Sequence, residues 1–385
     1  MSQTPLDLIR RLVGFDTVSV HSNLALIHYV RDYLKDFGID SRLTFDADGK
    51  KANLLAAIGP NIPGGIVLSG HTDVVPVAGQ PWESDPFAVV EHDDRLYGRG
   101  TSDMKSFLAI ALALVPEFQA ARLRVPIYLA LSFDEEVGCL GVGRLLSDLA
   151  AALPRPAAAI IGEPTLMKLI NRHKGFHSFT TTVTGRDGHS SGTHRGVNAI
   201  AYAAEIVGFL SRLAAEIAAQ GPFDDGFDPP YTTINVGAVR GGTAINIIAR
   251  QCSIDWEFRP IPGFDAPSIR RRFDSFIAES ILPRMRAVAP ETDVVTVQDS
   301  ASPPLVPEAD SPAEALVRLL TGANIAGAVS FGTEASLFQD SGIPAVICGP
   351  GSIEQAHQPN EFIALDQVEA CVSFMRKLKD WATVR

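Results

Sequence analysis

The segment GIVLSGHTD, residues 65–73, combines a short apolar run with an imidazole and a carboxylate. Residues 65–69 are mostly apolar, partly β-branched and bounded by glycine, which predicts a buried strand. His71 and Asp73 follow where that strand ends, and such a pair suits a metal ligand and its orienting neighbour. Because a lone histidine at a strand end is usually an ordinary loop residue, the metal hypothesis depends on which other side chains reach the same place.

Two more apolar runs end in acidic residues. The predicted strand 125–133 precedes Glu135 and Glu136, and the predicted strand 157–161 precedes Glu163. Strands that alternate with helices predict an α/β domain with a mixed, largely parallel sheet flanked by helices. Ligands of such sheets gather beyond the carboxyl ends of the strands, so these acids are expected near His71.

Two further candidates follow from neighbouring segments. Asp103 lies at the end of a small-residue turn, just before an apolar helix predicted over 106–119. Capping of that helix is the competing role for Asp103. His357 follows a predicted strand over 344–348 and a glycine-rich turn, and it could add a second imidazole.

Carboxylates that share one cleft repel one another unless cations neutralise them. The five candidates are Asp73, Asp103, Glu135, Glu136 and Glu163. Nitrogen and oxygen ligands without a thiolate favour two zinc ions, which cobalt or manganese could replace. Two such ions lower the pKa of a bridging water, and one carboxylate must then stay unligated as the general base. Spacing alone leaves Glu135 and Glu136 as alternatives for that base.

Composition excludes several classes of protein. The formal net charge of -11, without a lysine or arginine cluster, argues against nucleic-acid binding. The four cysteines are scattered and form no CxxC pair, which is typical of reduced cysteines in a cytosolic protein. Neither a signal peptide nor an apolar run near the ~18 residues of a membrane span is evident, so we expect a cytoplasmic protein without membrane contact.

The 385 residues suggest two domains, and the pattern changes near residue 176. Residues 176–184 alternate like a half-exposed antiparallel strand. Helices predicted near 196–219 and 266–285, with strands near 231–239, 244–259 and 294–297, complete an α+β segment. We therefore predict a catalytic metal-binding domain over 1–175 and 299–385, with a domain inserted at 176–298.

Six motifs in this order resemble the two-metal amidohydrolases and peptidases of the M20 group. They are SGHTDVVP, GRGTSDMK, DEEVG, GEPT, GHSSGTHRGVNA and AHQPNE. The resemblance spans nearly the whole chain and implies a zinc-peptidase-like catalytic domain with an inserted lid and dimerisation domain. It also implies a homodimer formed through that inserted domain.

The resemblance also implies roles for the acidic residues and histidines. His71 and Glu163 would bind one ion, Glu136 and His357 would bind the other, and Asp103 would bridge the two. Glu135 would be the general base, and Asp73 would orient His71. A cis peptide bond is implied after Asp103.

In the inserted domain, His189 matches the family histidine that reaches the partner subunit's site and stabilises the oxyanion. Asn246 and Arg259 match positions that contact the substrate, and the Arg259 guanidinium suits a carboxylate. A surface ion pair is the alternative for Arg259. His194 is interpreted as a surface loop residue.

Residues 331–335 and 349–359 are most similar to family members that deacetylate N2-acetyl-L-ornithine for arginine biosynthesis, which implies that reaction, giving acetate and L-ornithine. Gly332 and Thr333 could donate hydrogen bonds to the substrate carboxylate, and Glu334 could bind its free ammonium. Desuccinylation of N-succinyl-diaminopimelate, deacylation of other N-acyl amino acids and dipeptide cleavage are alternatives on the same scaffold. A non-catalytic binding protein with this fold is an alternative of another class.

Overall fold

A computed structural model describes residues 3–383, which form two compact units. Unit 1 contains the chain through Arg172, Leu305–Ala328 and the chain from Thr333 onward. Unit 2 contains His173–Pro304 and Val329–Gly332. The divisions at residues 172 and 304 lie a few residues from the predicted ones at 175 and 298, and the last strand of unit 2 continues to Ser302 rather than ending at residue 297. Val329–Gly332 belongs to unit 2, although it was predicted within the catalytic domain.

The helices and strands are labelled in chain order. The helices are α1 (Pro5–Val13), α2 (Leu24–Asp36), α3 (Lys105–Ala113), α4 (Val115–Ala120), α5 (Val142–Ala152), α6 (Ala199–Gln220), α7 (Ala266–Phe276), α8 (Leu282–Val288), α9 (Pro312–Thr321), α10 (Ala335–Asp340) and α11 (Leu365–Thr383). The strands are β1 (Ser41–Phe45), β2 (Ala52–Ile58), β3 (Ile66–His71), β4 (Val90–His92), β5 (Arg95–Tyr97), β6 (Ile127–Ser132), β7 (Ala158–Pro164), β8 (Ile170–His173), β9 (Phe176–Thr184), β10 (Thr233–Gly241), β11 (Gln251–Arg259), β12 (Asp293–Ser302), β13 (Gly327–Val329), β14 (Ala345–Gly349) and β15 (Phe362–Ala364).

Unit 1 is built on an eight-stranded sheet in the order β1-β2-β6-β3-β7-β14-β8-β13. The four central strands β6, β3, β7 and β14 are parallel, whereas β1, β2 and β8 pair with their neighbours in the antiparallel sense. Strands β3, β6, β7 and β14 are buried along their whole length, as expected for strands covered on both faces. The predicted mixed, largely parallel sheet is therefore confirmed.

The register of the parallel strands brings their carboxyl ends to one edge of the sheet. His71 at the end of β3 pairs with Ser132 at the end of β6. Ser69 pairs with Ile161 of β7, so Glu163 lies at the same level as His71. The strands therefore deliver the candidate ligands together.

Helix α3 crosses directly beneath this edge, and two glycines allow its close approach. A Cβ atom on Gly70 would lie 2.4 Å from Cε of Met104. A Cβ atom on Gly162 would lie 2.1 Å from the Phe107 ring. The Phe107 ring fills the space beside Gly162, so packing requires a glycine before Glu163, whereas the contact at Gly70 is with the flexible end of the Met104 side chain, which could move aside.

Unit 2 has its own antiparallel sheet, in the order β10-β11-β9-β12. A separate apolar core covers one face of this sheet, with Trp256 stacked between Phe179 and Phe273. The long helix α6 packs against β10 and β11. Strand β9 has the predicted bounds and the predicted alternation of burial.

Three predicted elements differ from the structure. The helix predicted over 266–285 is divided into α7 and α8 by a π-helical turn at Ile277–Ile281, and Pro283, which has no amide hydrogen, lies in the first turn of α8. The helix predicted over 106–119 is divided into α3 and α4 at Leu114, and Pro116 lies in the first turn of α4. The strand predicted over 244–259 begins only at Gln251.

Within residues 3–383, no helix is long and apolar enough to cross a membrane. The cysteines are Cys139, Cys252, Cys348 and Cys371, and each is buried with a free thiol. The reduced, structural interpretation of the cysteines therefore agrees with the structure.

Candidate metal centre

Asp103 lies between the two candidate histidines. Its Oδ1 atom is 3.0 Å from Nε2 of His71, and its Oδ2 atom is 3.5 Å from Nε2 of His357. Its side chain does not cap α3, whose N-cap residue is Met104, so the competing capping role is excluded. The Asp103–Met104 peptide bond is cis, as the resemblance implied. One carboxylate thus presents an oxygen to each histidine.

His71 is fully buried and its two ring nitrogens face different partners. Nδ1 lies 2.9 Å from the backbone oxygen of Asp73, which can only accept, so Nδ1 carries a proton and Nε2 is the nitrogen that would offer its lone pair to a cation. Nε2 is 3.7 Å from Oε1 of Glu163, in addition to its contact with Asp103. The lone pair therefore points to the space bounded by these two carboxylates, where a cation would lie.

His357 and Glu136 form the other side of the pocket. Nε2 of His357 is 3.0 Å from Oε2 of Glu136. His357 has a positive φ of 64° and its side chain is half exposed, so this side of the pocket opens to solvent.

The Asp73 carboxylate organises the turn that carries both glutamates. Its Oδ1 accepts the backbone N–H of Glu135 at 3.1 Å, and its Oδ2 accepts that of Glu136 at 3.3 Å. The hydroxyl of Ser19 donates to the same Oδ2 at 2.8 Å. Asp73 Oδ1 is 3.6 Å from Nδ1 of His71, so the direct orienting contact comes from its backbone oxygen and the carboxylate fixes the acidic turn instead.

Glu135 and Glu136 point to different parts of the pocket. Ligand atoms of His71, Glu135 and Glu163 all lie within 4.8 Å of one another, and so do those of His71, Asp103 and Glu136. Burial raises the pKa of Glu135 to about 8, because it disfavours the charged carboxylate. The charge of His71 opposes this rise, and repulsion from Glu136 and Asp103 adds to it. The buried Cys139 thiol donates to Oε1 of Glu135 at 3.4 Å.

The pocket favours positive charge. Burial opposes protonation of His71, but its bond to Asp103 and the charge of Glu163 raise the pKa of His71 well above its usual value. Hydrogen bonds to Asp103 and Glu136 raise the pKa of His357 to about 10. Burial would raise the pKa of Asp103, but the two histidines lower it overall. Three carboxylates and two imidazoles fit two divalent cations, which would neutralise the acids in place of these protons.

His189 belongs to unit 2, where it precedes a short 3₁₀ turn, Ser190–Arg195. Its Nδ1 accepts the backbone N–H of Ser191 at 3.2 Å. The neutral ring therefore carries its proton on Nε2, which leaves an exposed donor of the kind that stabilises an oxyanion. His194 is exposed on the same turn.

Asn246 and Arg259 also belong to unit 2. Asn246 is exposed, and its backbone oxygen accepts the N–H of Ser190, so it lies beside the His189 turn. The Arg259 guanidinium forms a two-point ion pair with Glu257, at 3.0 and 3.3 Å, and lies over the Phe176 ring. The surface ion pair that was the alternative for Arg259 is therefore present.

The segment at residues 332–334 differs from expectation. Gly332 is partly exposed, but Thr333 is fully buried and its hydroxyl accepts the N–H of Ala335 at the start of α10. Glu334 has no solvent exposure, and its two carboxylate oxygens accept the hydroxyls of Ser69 and Ser132. The hypothesis that Glu334 binds a substrate ammonium is corrected, because this carboxylate links α10 to strands β3 and β6 instead.

Sequence reasoning missed two buried residues beside the pocket, Arg99 and Glu361, which form an ion pair at 2.7 Å. Arg99 lies within the motif GRGTSDMK, and Glu361 lies within the motif AHQPNE. Each motif contains a charged residue to which no role was assigned, and that residue could have indicated a buried ion pair.

Comparison with known proteins identifies the family. Residues 67–379 match peptidase family M20/M25/M40. The acetylornithine deacetylase of Yersinia pseudotuberculosis serotype O:1b (strain IP 31758) is 34% identical, over 97% of this chain and 96% of that protein. The chain belongs to peptidase family M20/M25/M40, and it is therefore a hydrolase of that family.

Solved structures share the fold. An M20 family metallo-carboxypeptidase from Sulfolobus solfataricus has a TM-score of 0.78 at 17% identity, covering 100% of both chains. A dinuclear metal binding peptidase of the M20 family from Bacillus subtilis has a TM-score of 0.62 at 15% identity, covering 97% of this chain and 96% of that chain. The mixed α/β unit and the separate antiparallel unit are thus those of M20 peptidase structures.

Proposed function

We propose that this chain hydrolyses the acetyl amide of N2-acetyl-L-ornithine, giving acetate and L-ornithine in arginine biosynthesis. The observation that carries this proposal is 34% identity over 97% of the chain to an acetylornithine deacetylase. The clustered histidines and carboxylates of unit 1 supply the chemistry that such a hydrolysis needs.

Two divalent cations are the proposed cofactors. His71 and Glu163 would hold one, Glu136 and His357 would hold the other, and Asp103 faces both histidines. Zinc suits these nitrogen and oxygen donors, and cobalt or manganese could replace it. When bound, the cations polarise the amide carbonyl and lower the pKa of a water molecule.

Glu135 is the proposed general base. It would accept the proton of the attacking water and pass it to the amide nitrogen as the C–N bond breaks, so that ornithine leaves as a neutral amine and acetate remains. The hydrogen bond from the Glu135 amide to Asp73 holds the turn that carries this carboxylate.

Unit 2 is the proposed source of substrate contacts and of the dimer. Nε2 of His189 would donate to the oxyanion, and Asn246 and Arg259 would contact the substrate with Gly332. β10 and β12 are the edge strands of the unit 2 sheet. They expose apolar side chains, namely Val239 (50%), Val295 (52%) and Val297 (55%). Apolar edge strands favour pairing between chains, which supports a homodimer through this unit.

Subunit mixing tests whether His189 acts in the partner's site. We expect His189→Ala and Glu135→Gln to be nearly inactive alone. Each mixed dimer should contain one intact site, so random mixing should restore about a quarter of wild-type activity. The measurement is turnover of N2-acetyl-L-ornithine after the two variants are co-expressed. Activity that stays at the level of the separate variants would refute the shared site.

A substrate panel tests the specificity. We expect kcat/KM for N2-acetyl-L-ornithine to exceed that for N-succinyl-diaminopimelate and for a dipeptide by at least about tenfold, which is about 1.4 kcal/mol of differential transition-state stabilisation. The measurement is initial rates for all three with the same metal-loaded enzyme. A higher value for either competitor would move the assignment to another reaction of this scaffold. No turnover of any amide by metal-loaded protein would revive the binding-protein alternative.

A further inference from the structure

Glu361 is a buried carboxylate held by the backbone of the Asp103 loop. Its Oε1 accepts the amide hydrogens of Ser102 at 2.8 Å, Asp103 at 3.0 Å and Gly100 at 3.1 Å. The side chain is only 1% exposed. A carboxylate that gathers three amides of one turn fixes the path of that turn, and here the turn ends at the residue that faces both histidines.

Arg99 extends this network to the loop that carries His357. Its Nη1 donates to Oε2 of Glu361 at 2.7 Å and to the backbone oxygen of Gln358 at 3.3 Å. Its Nη2 donates to Oε1 of Gln80 at 2.6 Å. The side-chain amide of Gln80 then donates to the backbone oxygen of His357 at 2.9 Å. One buried ion pair is therefore connected to the backbone on both sides of the pocket.

A buried ion pair is a poor source of stability, because removing two charges from water offsets most of their attraction. The contacts of Arg99 and Glu361 instead determine geometry. Every partner described above belongs to unit 1 and lies in one of the two ligand loops or in the loop that contains Gln80.

We propose that Arg99 and Glu361 form a positioning clasp that sets Asp103 and His357 at the spacing needed for the cation on the Glu136 side. This inference rests on the proposed two-cation site. Neither Arg99 nor Glu361 would contact a cation, so both act only by positioning the ligands. The clasp holds Asp103, which faces both cations, and also His357, which faces only the cation on the Glu136 side, so weakening it should lower the affinity of that cation more than that of the other.

The test is a titration of the metal-free protein with cobalt, without substrate, in which calorimetry and visible absorption measure the affinity of each cation. Glu361→Gln keeps an oxygen for the loop amides but loses the charge that pairs with Arg99. Arg99→Lys keeps the charge, but a single ammonium lacks the planar fork that donates to Glu361 and Gln80 together. His357→Ala serves as the reference that identifies the cation on the Glu136 side.

Glu314→Gln is the matched control, because Glu314 pairs with Arg318 at 2.7 Å within α9 of the same unit. We expect both clasp variants to bind the cation identified by His357→Ala at least about tenfold more weakly, with the other cation changed by less than about threefold. The control should match wild type. Arg99→Lys provides the test if Glu361→Gln does not fold.

Two results would overturn the clasp alone. The first is wild-type affinity for both cations in both variants. The second is an equal loss of both affinities together with a lower melting temperature of the metal-free protein, which would indicate a merely structural role. A wild-type chain that binds fewer than two cations would instead refute the proposed two-cation site, and the clasp with it.

Discussion

We expect Glu135→Gln to lower kcat by about a thousandfold while both cations stay bound, because loss of a positioned general base commonly removes a factor of 10² to 10⁴. The variant keeps the size of the side chain and its place on the turn, where the backbone N–H of Glu135 donates to Asp73. What it loses is the basic oxygen that accepts the proton of water. Steady-state kinetics and metal analysis of the same preparation measure the two parts of this prediction.

Glu136→Gln is the matched control on the adjacent residue. The Glu136 carboxylate lies 3.0 Å from His357, so its replacement should release a cation as well as lower activity. The converse pattern, in which Glu135→Gln loses metal and Glu136→Gln retains it, would mean that the two roles are exchanged. The cluster of Glu135 with His71 and Glu163 makes this comparison necessary.

We expect removal of metal by a chelator to abolish activity and to lower stability in a way that depends on pH. Burial raises the pKa of Glu135 to about 8, and hydrogen bonds to Asp103 and Glu136 raise that of His357 to about 10. At a pH between the ordinary and the raised pKa of each group, the folded metal-free chain therefore binds more protons than the unfolded chain. Stability should then fall as pH rises from about 6 to about 9.

The metal-loaded chain should behave differently, because bound cations keep these groups deprotonated in the folded state. Cation at about 1,000 times its dissociation constant should add about 4 kcal/mol to the free energy of unfolding. Thermal melts of chelated, reloaded and untreated protein across this pH range measure both effects. A metal-free protein whose stability rises with pH over this range, or is unchanged by reloading, would contradict the proposed charge balance.

The candidate ligands could be predicted because strand ends and residue type determine them. His71 and Glu163 each follow an apolar run, and parallel strands bring such residues to one edge. The two small residues before them, Gly70 and Gly162, are explained only by the structure, since the contacts with Met104 and Phe107 come from distant parts of the chain.

The clasp could not be predicted because Arg99 and Glu361 are far apart in sequence and meet only after the loops fold. The role of Glu334 was mistaken for a similar reason. Its position in a family-like segment suggested a substrate contact, whereas its environment is set by Ser69 and Ser132 on two buried strands. Local pattern identifies which residues carry charge, but burial and partners decide what that charge does.

The central claim is that this pocket binds two cations through the ligands that the strands deliver. Anomalous diffraction from a crystal of the zinc-loaded protein, collected on both sides of the zinc absorption edge, measures this directly. We predict two peaks, one bounded by His71 and Glu163 and one by Glu136 and His357, with an oxygen of Asp103 contacting each. A single peak, or a zinc ion bound to Glu135 in place of Glu136, would contradict this assignment.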